Sequence, residues 1–411
     1  MTSTQIETEA VEEMAYGVPS VSVEELETDP HGVFRRYRAN TPLIERRGAF
    51  VVLRARDVER LLKDPRLAQP RTEFLNRLGV TEGALFDFFA LSMLGADEET
   101  HARLRTPLTR TFAARVIGAM RPVIRARAEA LMDALENARA FDLIAQFSSL
   151  IPAMTIAGIL GLPEEDVPHF TAVVYELTIL LGYTAGQDLP RIKAAAEDLR
   201  SYVHRILEDR RIRPRDDFLT RLMTDLDETG SVTPEEAIVQ IMSLIVAGTD
   251  TTRVAGGAVV SLLLQHREQW DAVCGDAGLI PKAVAEALRF EPSVGSTARF
   301  SLEPIDLDGK TLPKDAAVSL SLMSAMRDER VYANPDTFDI FRDDGPRIHP
   351  FSVAGPIDAL ARRWLKPNWR RAWLFLRSVC RSSAWLERPQ LLWDTRQYAG
   401  SDRCIAPSDN G

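Results

Sequence analysis

The sequence predicts a mainly α-helical body with small β-sheets, and three observations carry that expectation. Between roughly residues 82 and 290, apolar side chains recur near the helical period. EETHARLRTPLTRTFAARVIGAMRPVIRARAEALMDALENA and TPEEAIVQIMSLIVAGTDTTRVAGGAVVSLLLQHREQWDAV show it best. After Pro292 the pattern changes to short apolar runs broken by Gly and Pro, in TARFSLEPIDLDGKTLPKDAAVSLSLMSAMRD. That is the pattern of small hairpins. No internal repeat, low-complexity block or linker divides the chain, so one large helical domain is expected.

Taken in order, residues 1–22, which begin MTSTQIETEAVEEMAYG, read as a flexible acidic tail. It has no basic stretch leading into an apolar run, so it reads as neither a signal peptide nor an anchor. AFVVLRARDVERLLKDPRLAQP then gives a short apolar strand, a helix, and a proline stop after Lys63 and Asp64. Further on, Thr233 is an N-cap, Pro234 takes the first helical position, and Glu236 completes a capping box. Residues 350–411 depart from all of this. Trp364, Trp369, Trp373, Trp385 and Trp393, five of the six tryptophans, fall in the last 65 residues. Eleven Lys and Arg stand there against five Asp and Glu, so the segment carries +6 while the preceding 346 residues carry −15.

The bulk composition narrows the class. With 411 residues, 45% apolar and 27% charged, the chain can bury a sizeable core. A net charge of −9 argues against a nucleic-acid partner, which needs clustered excess Lys and Arg. Cys274, Cys380 and Cys404 form no CxxC pair and leave an odd count, against a disulfide framework or structural zinc and for a reducing compartment. No run of 18 apolar residues is present to span a bilayer. The expectation is a cytoplasmic protein with no membrane partner.

Four short stretches carry chemistry. AGTDTT, Ala247 to Thr252, lies in the middle of a long apolar helix. Thr hydroxyls compete for backbone carbonyls and Gly loosens the helix, so the stretch reads either as a bend with capped polar groups or as a groove for a ligand and an ordered water. In the second case Asp250 and Thr251 relay protons and apolar Leu244 and Ala247 line the pocket. ETHARLR sets His101 and Arg105 on one helix face, a solvated polar face or a grip on a buried carboxylate. EALRF places Glu286 and Arg289 one turn apart, which permits an internal ion pair, and Arg299 opens the β region.

Their order is more telling than any one of them. HxxxR, AGxDTT, ExxR and then Arg299 after a proline turn, with DVERLLKDPRL before them and PKDAAVSLSLMSAMRDERVYANPDTFDIFR and RIHPF after, resemble the cytochrome P-450 family of haem-thiolate monooxygenases over roughly residues 24–350. Met326 departs from the pattern, standing where family members usually carry Asn. The resemblance implies the cytochrome P-450 fold over residues 23–349 and a haem b cofactor with its iron. His101, Arg105, Arg299 and His349 would hold the haem propionates, Asp250 and Thr251 would deliver protons, and Glu286 and Arg289 would form a structural ion pair beneath the haem. It also implies a soluble bacterial enzyme that inserts one oxygen of O2 into a small apolar organic substrate, with electrons from a ferredoxin or flavodoxin.

One atom of that scheme is missing. The resemblance implies a Cys thiolate on the iron, in a loop F-G-x-G-x-H-x-C-x-G. His349 and Phe351 begin something similar, but FSVAGPIDALA contains no cysteine, and no metal ligand is assigned. Reading each codon from the third base of the residue before it, Phe351 to Ala361 permits F-G-G-G-P-H-R-C-L-G, with TGC falling across Asp358 and Ala359. This matches every fixed position of the loop, as though one nucleotide were lost near His349 and the Trp- and Arg-rich tail were read out of frame. The C-terminal part of the fold is then expected to be disrupted. There are two alternatives to a working monooxygenase: a frameshifted inactive product, or a haem-free protein that binds apolar ligands.

Overall fold

Strands from distant parts of the chain pair with one another, and this divides the 23–349 span, one domain by its sequence pattern, into two compact units. The structure, a computed structural model, describes residues 17–111, 114–135, 141–181 and 187–345. The tail over residues 1–16, His349, and the expected disruption beyond residue 350 lie outside the described residues. In chain order the elements are α1 (Val23–Thr28), α2 (Pro30–Arg38), β1 (Leu43–Arg46), β2 (Ala49–Val52), α3 (Ala55–Leu61) and β3 (Leu67–Ala68). Then come α4 (Glu73–Arg77), α5 (Ala84–Ala90), α6 (Glu98–Thr111), α7 (Ala114–Leu135), α8 (Leu150–Leu160), α9 (Val167–Thr178) and α10 (Leu189–Ile212). They are followed by α11 (Phe218–Thr229), α12 (Pro234–Gln265), α13 (Arg267–Gly275) and α14 (Ile280–Phe290). The last are β4 (Ser296–Ser301), β5 (Ile305–Leu307), β6 (Lys310–Leu312), β7 (Ala317–Ser321) and α15 (Leu322–Ala325).

The first unit joins the chain up to Ala68 with Gly295–Pro335. Its five-stranded sheet has the order β1-β2-β7-β4-β3. β2 runs parallel to β7, with Phe50 opposite Val318, and β4 pairs antiparallel with β7, with Arg299 opposite Val318. β5 and β6 form the expected hairpin, turning where Asp308 and Gly309 take positive φ. Arg38 is buried and satisfied by Ser324 O, Arg327 O and Glu329, which ties α2 to α15 and the residues just after it. The ordered fold also starts ahead of residue 23. Val18 and Val21 are buried, Val21 N donates to Glu45 O at 2.9 Å, and Ser22 caps α1 in a box with Glu25.

The second unit comprises Gln69–Val294 and the chain from Asp336. Its axis is α12, started by the predicted capping box of Thr233 and Glu236 with Pro234 in the first turn. The first half of α12 is packed by α8, α9 and α10 around Met242, Ile245, Phe170 and Leu199. The second half is packed by α13 and α14 around Val259, Leu263, Trp270 and Ala287. Each such Leu or Ile contributes about 1.5–3 kcal/mol by leaving water. Two glycines let neighbours come close: a Cβ on Gly248 would meet Ile156 at 3.1 Å, and one on Gly257 would overlap Ile144. Ile144 belongs to a single π-helical turn, Ile144–Ser148, whose Ser148 hydroxyl donates to Arg253 O at 2.8 Å.

Candidate active site

A helix packed on all sides should be buried along its whole length, and α12 is not. Ala237 and Val239–Ile245 are buried, as are Ala255–Leu263, but across residues 246–254 only Thr249 is. The opening coincides with AGTDTT. The helix runs unbroken through it, although the Thr251 hydroxyl donates back to Ala247 O at 3.0 Å. Of the two pocket candidates, Ala247 is half-buried at the opening, whereas Leu244 is buried in the main apolar cluster.

The acid of the motif has a partner that the motif itself does not name. Asp250 Oδ1 accepts from Arg253 Nη2 at 2.5 Å and from Nε at 3.2 Å, one turn further along the same helix. The Arg253 guanidinium lies over the Tyr175 ring of α9, 5.6 Å from its centre. Asp250 and Thr251 are therefore neighbours in sequence that bond in different directions, one to a cation and the other to its own backbone. Thr249 is buried, and its hydroxyl makes no hydrogen bond among the described residues.

His101 and Arg105 lie one turn apart on α6, both half-buried. Burial, and then the charge of Arg105, pull the His101 imidazole below its ordinary pKa of 6.5, so it is neutral at pH 7 and donates through a single N–H. Between them Arg103 faces elsewhere, pairing with Glu236 at 2.6 Å and donating to Ser231 O. Arg299 lies in β4 of the other unit, where Nη1 donates to Thr297 Oγ1 and Ala298 O, both at 2.8 Å. Burial lowers its guanidinium below the ordinary value.

Glu286 and Arg289 do form the expected internal pair on α14. Arg289 Nε donates to Glu286 Oε2 at 2.7 Å and Nη2 to Oε1 at 2.9 Å, both side chains fully buried. Two partners come from a segment about fifty residues later. Arg342 Nε stands 2.9 Å from Glu286 Oε2, and Asp339 N donates to Oε1 at 2.8 Å. The carboxylate thus faces two guanidinium groups and a backbone N–H, which balances its burial.

A model of the family described as cytochrome P450 matches residues 276–352, the stretch that holds the Glu286–Arg289 pair and ends just past Phe351. The plant-inducible cytochrome P450-pinF1 of Rhizobium radiobacter is 41% identical over 325 residues, 79% of this chain and 77% of that protein. The chain belongs to the cytochrome P450 family. A second P450 relative, the monooxygenase PikC of Streptomyces venezuelae, is 30% identical over 82% of each chain. Among solved structures, the myxobacterial cytochrome P450 CYP267B1 in complex with myristic acid is similar with a TM-score of 0.76 and 30% identity, over 87% of this chain and 89% of that one. CalO2 is similar with a TM-score of 0.75 and 27% identity, over 86% and 89%. As a P450 the protein is by descent a haem monooxygenase, an oxidoreductase. Among the described residues no helix is long and apolar enough to cross a membrane.

The residues present fit the cofactor of a P450 in one respect and not in another. Neutral His101, Arg105 and buried Arg299 are N–H donors of the kind that propionate carboxylates take. An iron ligand is the difficulty. Cys274, the one cysteine among the described residues, is partly buried against the apolar cluster of Trp270 and Ile280. The same residues contain no group of three or more His, Cys, Asp or Glu that could hold a metal ion. The sequence beyond Phe351 supplies no cysteine at the loop position.

Proposed function

We propose that the chain descends from a haem-dependent monooxygenase that inserts one oxygen atom of O2 into a small apolar organic substrate, taking electrons from a ferredoxin or flavodoxin in the cytoplasm. The opening of α12 across residues 246–254 carries this reading: a half-buried stretch in which Val246, Ala247, Gly248 and Val254 stand beside Asp250, Arg253 and the hydroxyls of Thr249, Thr251 and Thr252. Haem, when bound, supplies the activation of O2. The chain's own residues do the rest. His101, Arg105, Arg299 and His349 are the residues that would hold its propionates. Asp250 holds a proton-accepting carboxylate beside the groove, and Thr251 offers its oxygen lone pairs to an ordered water. Ala247, backed by Leu244 in the apolar cluster, would present an apolar wall to substrate, while Glu286 and Arg289 would brace α14 as a structural ion pair. The relatives are named for oxidising different groups, an N-oxygenase and an epoxidase among them, so the class of oxidation is left open.

A second reading is favoured by one observation, the absent cysteine. The family match stops at residue 352, where FSVAGPIDALA begins to depart from the loop and its neighbouring frame permits F-G-G-G-P-H-R-C-L-G. In this reading the polypeptide is a frameshifted product of a P450 gene and takes up no haem, retaining at most the capacity to bind apolar ligands. Sequencing the gene and recording the carbon monoxide difference spectrum of the expressed chain decide between them. A thiolate-type Soret band from the chain as it stands supports the working enzyme and ends the second reading. No haem uptake, with a TGC across Asp358 and Ala359 in the shifted frame, supports the second; a shifted frame without that codon ends it.

A further inference from the structure

Gln240 is 2% exposed in the apolar first half of α12, a poor place for an amide unless every polar atom is satisfied. All of them are. Nε2 donates to Leu91 O at 2.9 Å and to Glu236 O at 3.0 Å, while Oε1 accepts from Met93 N at 3.1 Å. One side chain thus pairs with a carbonyl and an N–H two residues apart, as a neighbouring β-strand would. Ser243, one turn on and equally buried, adds a contact from its hydroxyl to that of Ser92 at 3.1 Å.

The backbone held in this way, residues 91–93, is the junction between α5 and the 3-10 turn Met93–Gly95 that leads into α6. α5 packs against α10 and α12 and carries Phe86, Phe88 and Phe89, with Phe74 edge-on to Phe89 at 4.9 Å. Gln240 also begins a stripe along α12 at helical spacing, through Leu244 and Ala247 to Thr251. The clamp and the Ala247–Thr251 part of the opening are therefore on one face of one helix.

We propose that Gln240 is a positioning residue that fixes the aromatic α5 wall at a single depth beside the Leu244–Ala247–Thr251 stripe, and so determines which apolar molecules fit there. The proposal rests on the reading of that stripe as the substrate side of the site. Packing alone does not account for the arrangement: an apolar side chain would fill the same volume and leave Leu91 O and Met93 N without their partner.

The full chain, with Gln240→Met and Gln240→Glu, provides the test, and hydrogen exchange read by mass spectrometry needs no haem. Methionine keeps the volume and loses the clamp, so exchange across residues 88–96 accelerates about 10-fold or more while α10 is unchanged. Glutamic acid is a switchable substitute. Protonated, its O–H donates to Leu91 O and its carbonyl accepts from Met93 N; ionised, it repels Leu91 O. Its exchange therefore returns to the wild-type rate as the buffer is made acidic, whereas that of the Met variant does not. Wild-type protection in Gln240→Met at every pH overturns the clamp.

Two fluorescent apolar probes of different width, naphthalene and pyrene, test the specificity role. The ratio of their dissociation constants changes by about 10-fold in Gln240→Met, because a looser wall favours one width over the other. A ratio that stays constant while both probes weaken overturns it. Failure of both probes to bind the wild-type chain overturns the reading of the stripe as a substrate side, and the exchange result on Gln240 stands apart from that outcome.

Discussion

Two acid–arginine pairs sit at the same helical spacing, Glu286–Arg289 on α14 and Asp250–Arg253 on α12, and they are built for different purposes. The α14 pair is 1% and 0% exposed, uses both carboxylate oxygens, and is joined by Arg342 and the N–H of Asp339. The α12 pair is 15% and 18% exposed, and Arg253 engages a single oxygen, Oδ1. Identical spacing gives a saturated brace in one place and a carboxylate with an oxygen to spare in the other. Burial, not spacing, makes the difference. A fully buried charge must have all its partners fixed, whereas a half-buried one can exchange a partner for water at little cost.

The contrast breaks most sharply at Glu286. Glu286→Gln removes the carboxylate that the buried Arg289 shares with Arg342, whose other acid partner, Asp344, remains, and is expected to cost about 3–5 kcal/mol, read from the urea midpoint of the full chain. A cost near that of a surface substitution would mean that the pair is no brace at all. Arg342→Met is milder, since Arg289 and the Asp339 N–H still hold Glu286 and the other acid that Arg342 meets, Asp344, is partly exposed; about 1.5–3 kcal/mol is expected by the same measurement. If Arg342→Met proved as costly as Glu286→Gln, Arg342 rather than Arg289 would be the principal partner.

At the other pair, stability and activity should separate. Asp250→Asn is expected to change stability by less than about 1 kcal/mol, because Arg253 can turn to solvent and keep its contact with Tyr175. In a preparation that has taken up haem, the same substitution should lower turnover about 100-fold or more, the scale of a lost acid–base group, with substrate affinity little changed. Equal turnover in Asp250→Asn and wild type would remove Asp250 from the proposed proton route and leave Arg253 as its structural partner only.

What is legible in the sequence depends on distance along the chain. The capping box at Thr233 and Glu236 is a local event, and it forms as the sequence says. The Glu286–Arg289 contact is legible from spacing, but its burial and its partners Asp339 and Arg342 arrive from another segment by packing. The sequence pairs Asp250 with Thr251 as functional neighbours, whereas the side chain of Asp250 turns to Arg253; a cation three residues along was the available signal. The pairing of β2 with β7, and the π turn that brings Ser148 to Arg253 O, have no local signature and are decided by tertiary contacts. Gln240 is the most instructive case. Inside QIMSLIV it reads as one polar residue on a helix, and only the position of residues 91–93 turns it into a clamp.

The smallest expected effect concerns His101, and its sign discriminates between the two readings of the HxxxR face. A solvated polar face would leave the imidazole near its ordinary pKa, whereas a half-buried position beside Arg105 depresses it. Because the folded pKa lies below the unfolded one, the two states bind protons equally at neutral pH. As pH falls below 6.5, the unfolded chain takes up a proton that the folded chain refuses, and stability is lost until the folded pKa is passed. Urea midpoints at about pH 7.5 and about pH 6 should therefore fall further for the wild-type chain than for His101→Gln, which cannot titrate. Equal falls in the two proteins would return His101 to the surface. A carboxylate held between His101 and Arg105 would act in the opposite sense, raising the imidazole pKa and shrinking the acid loss. The same pair of measurements on haem-bearing and haem-free protein thus reports whether this face grips a propionate, independently of whether the iron turns over.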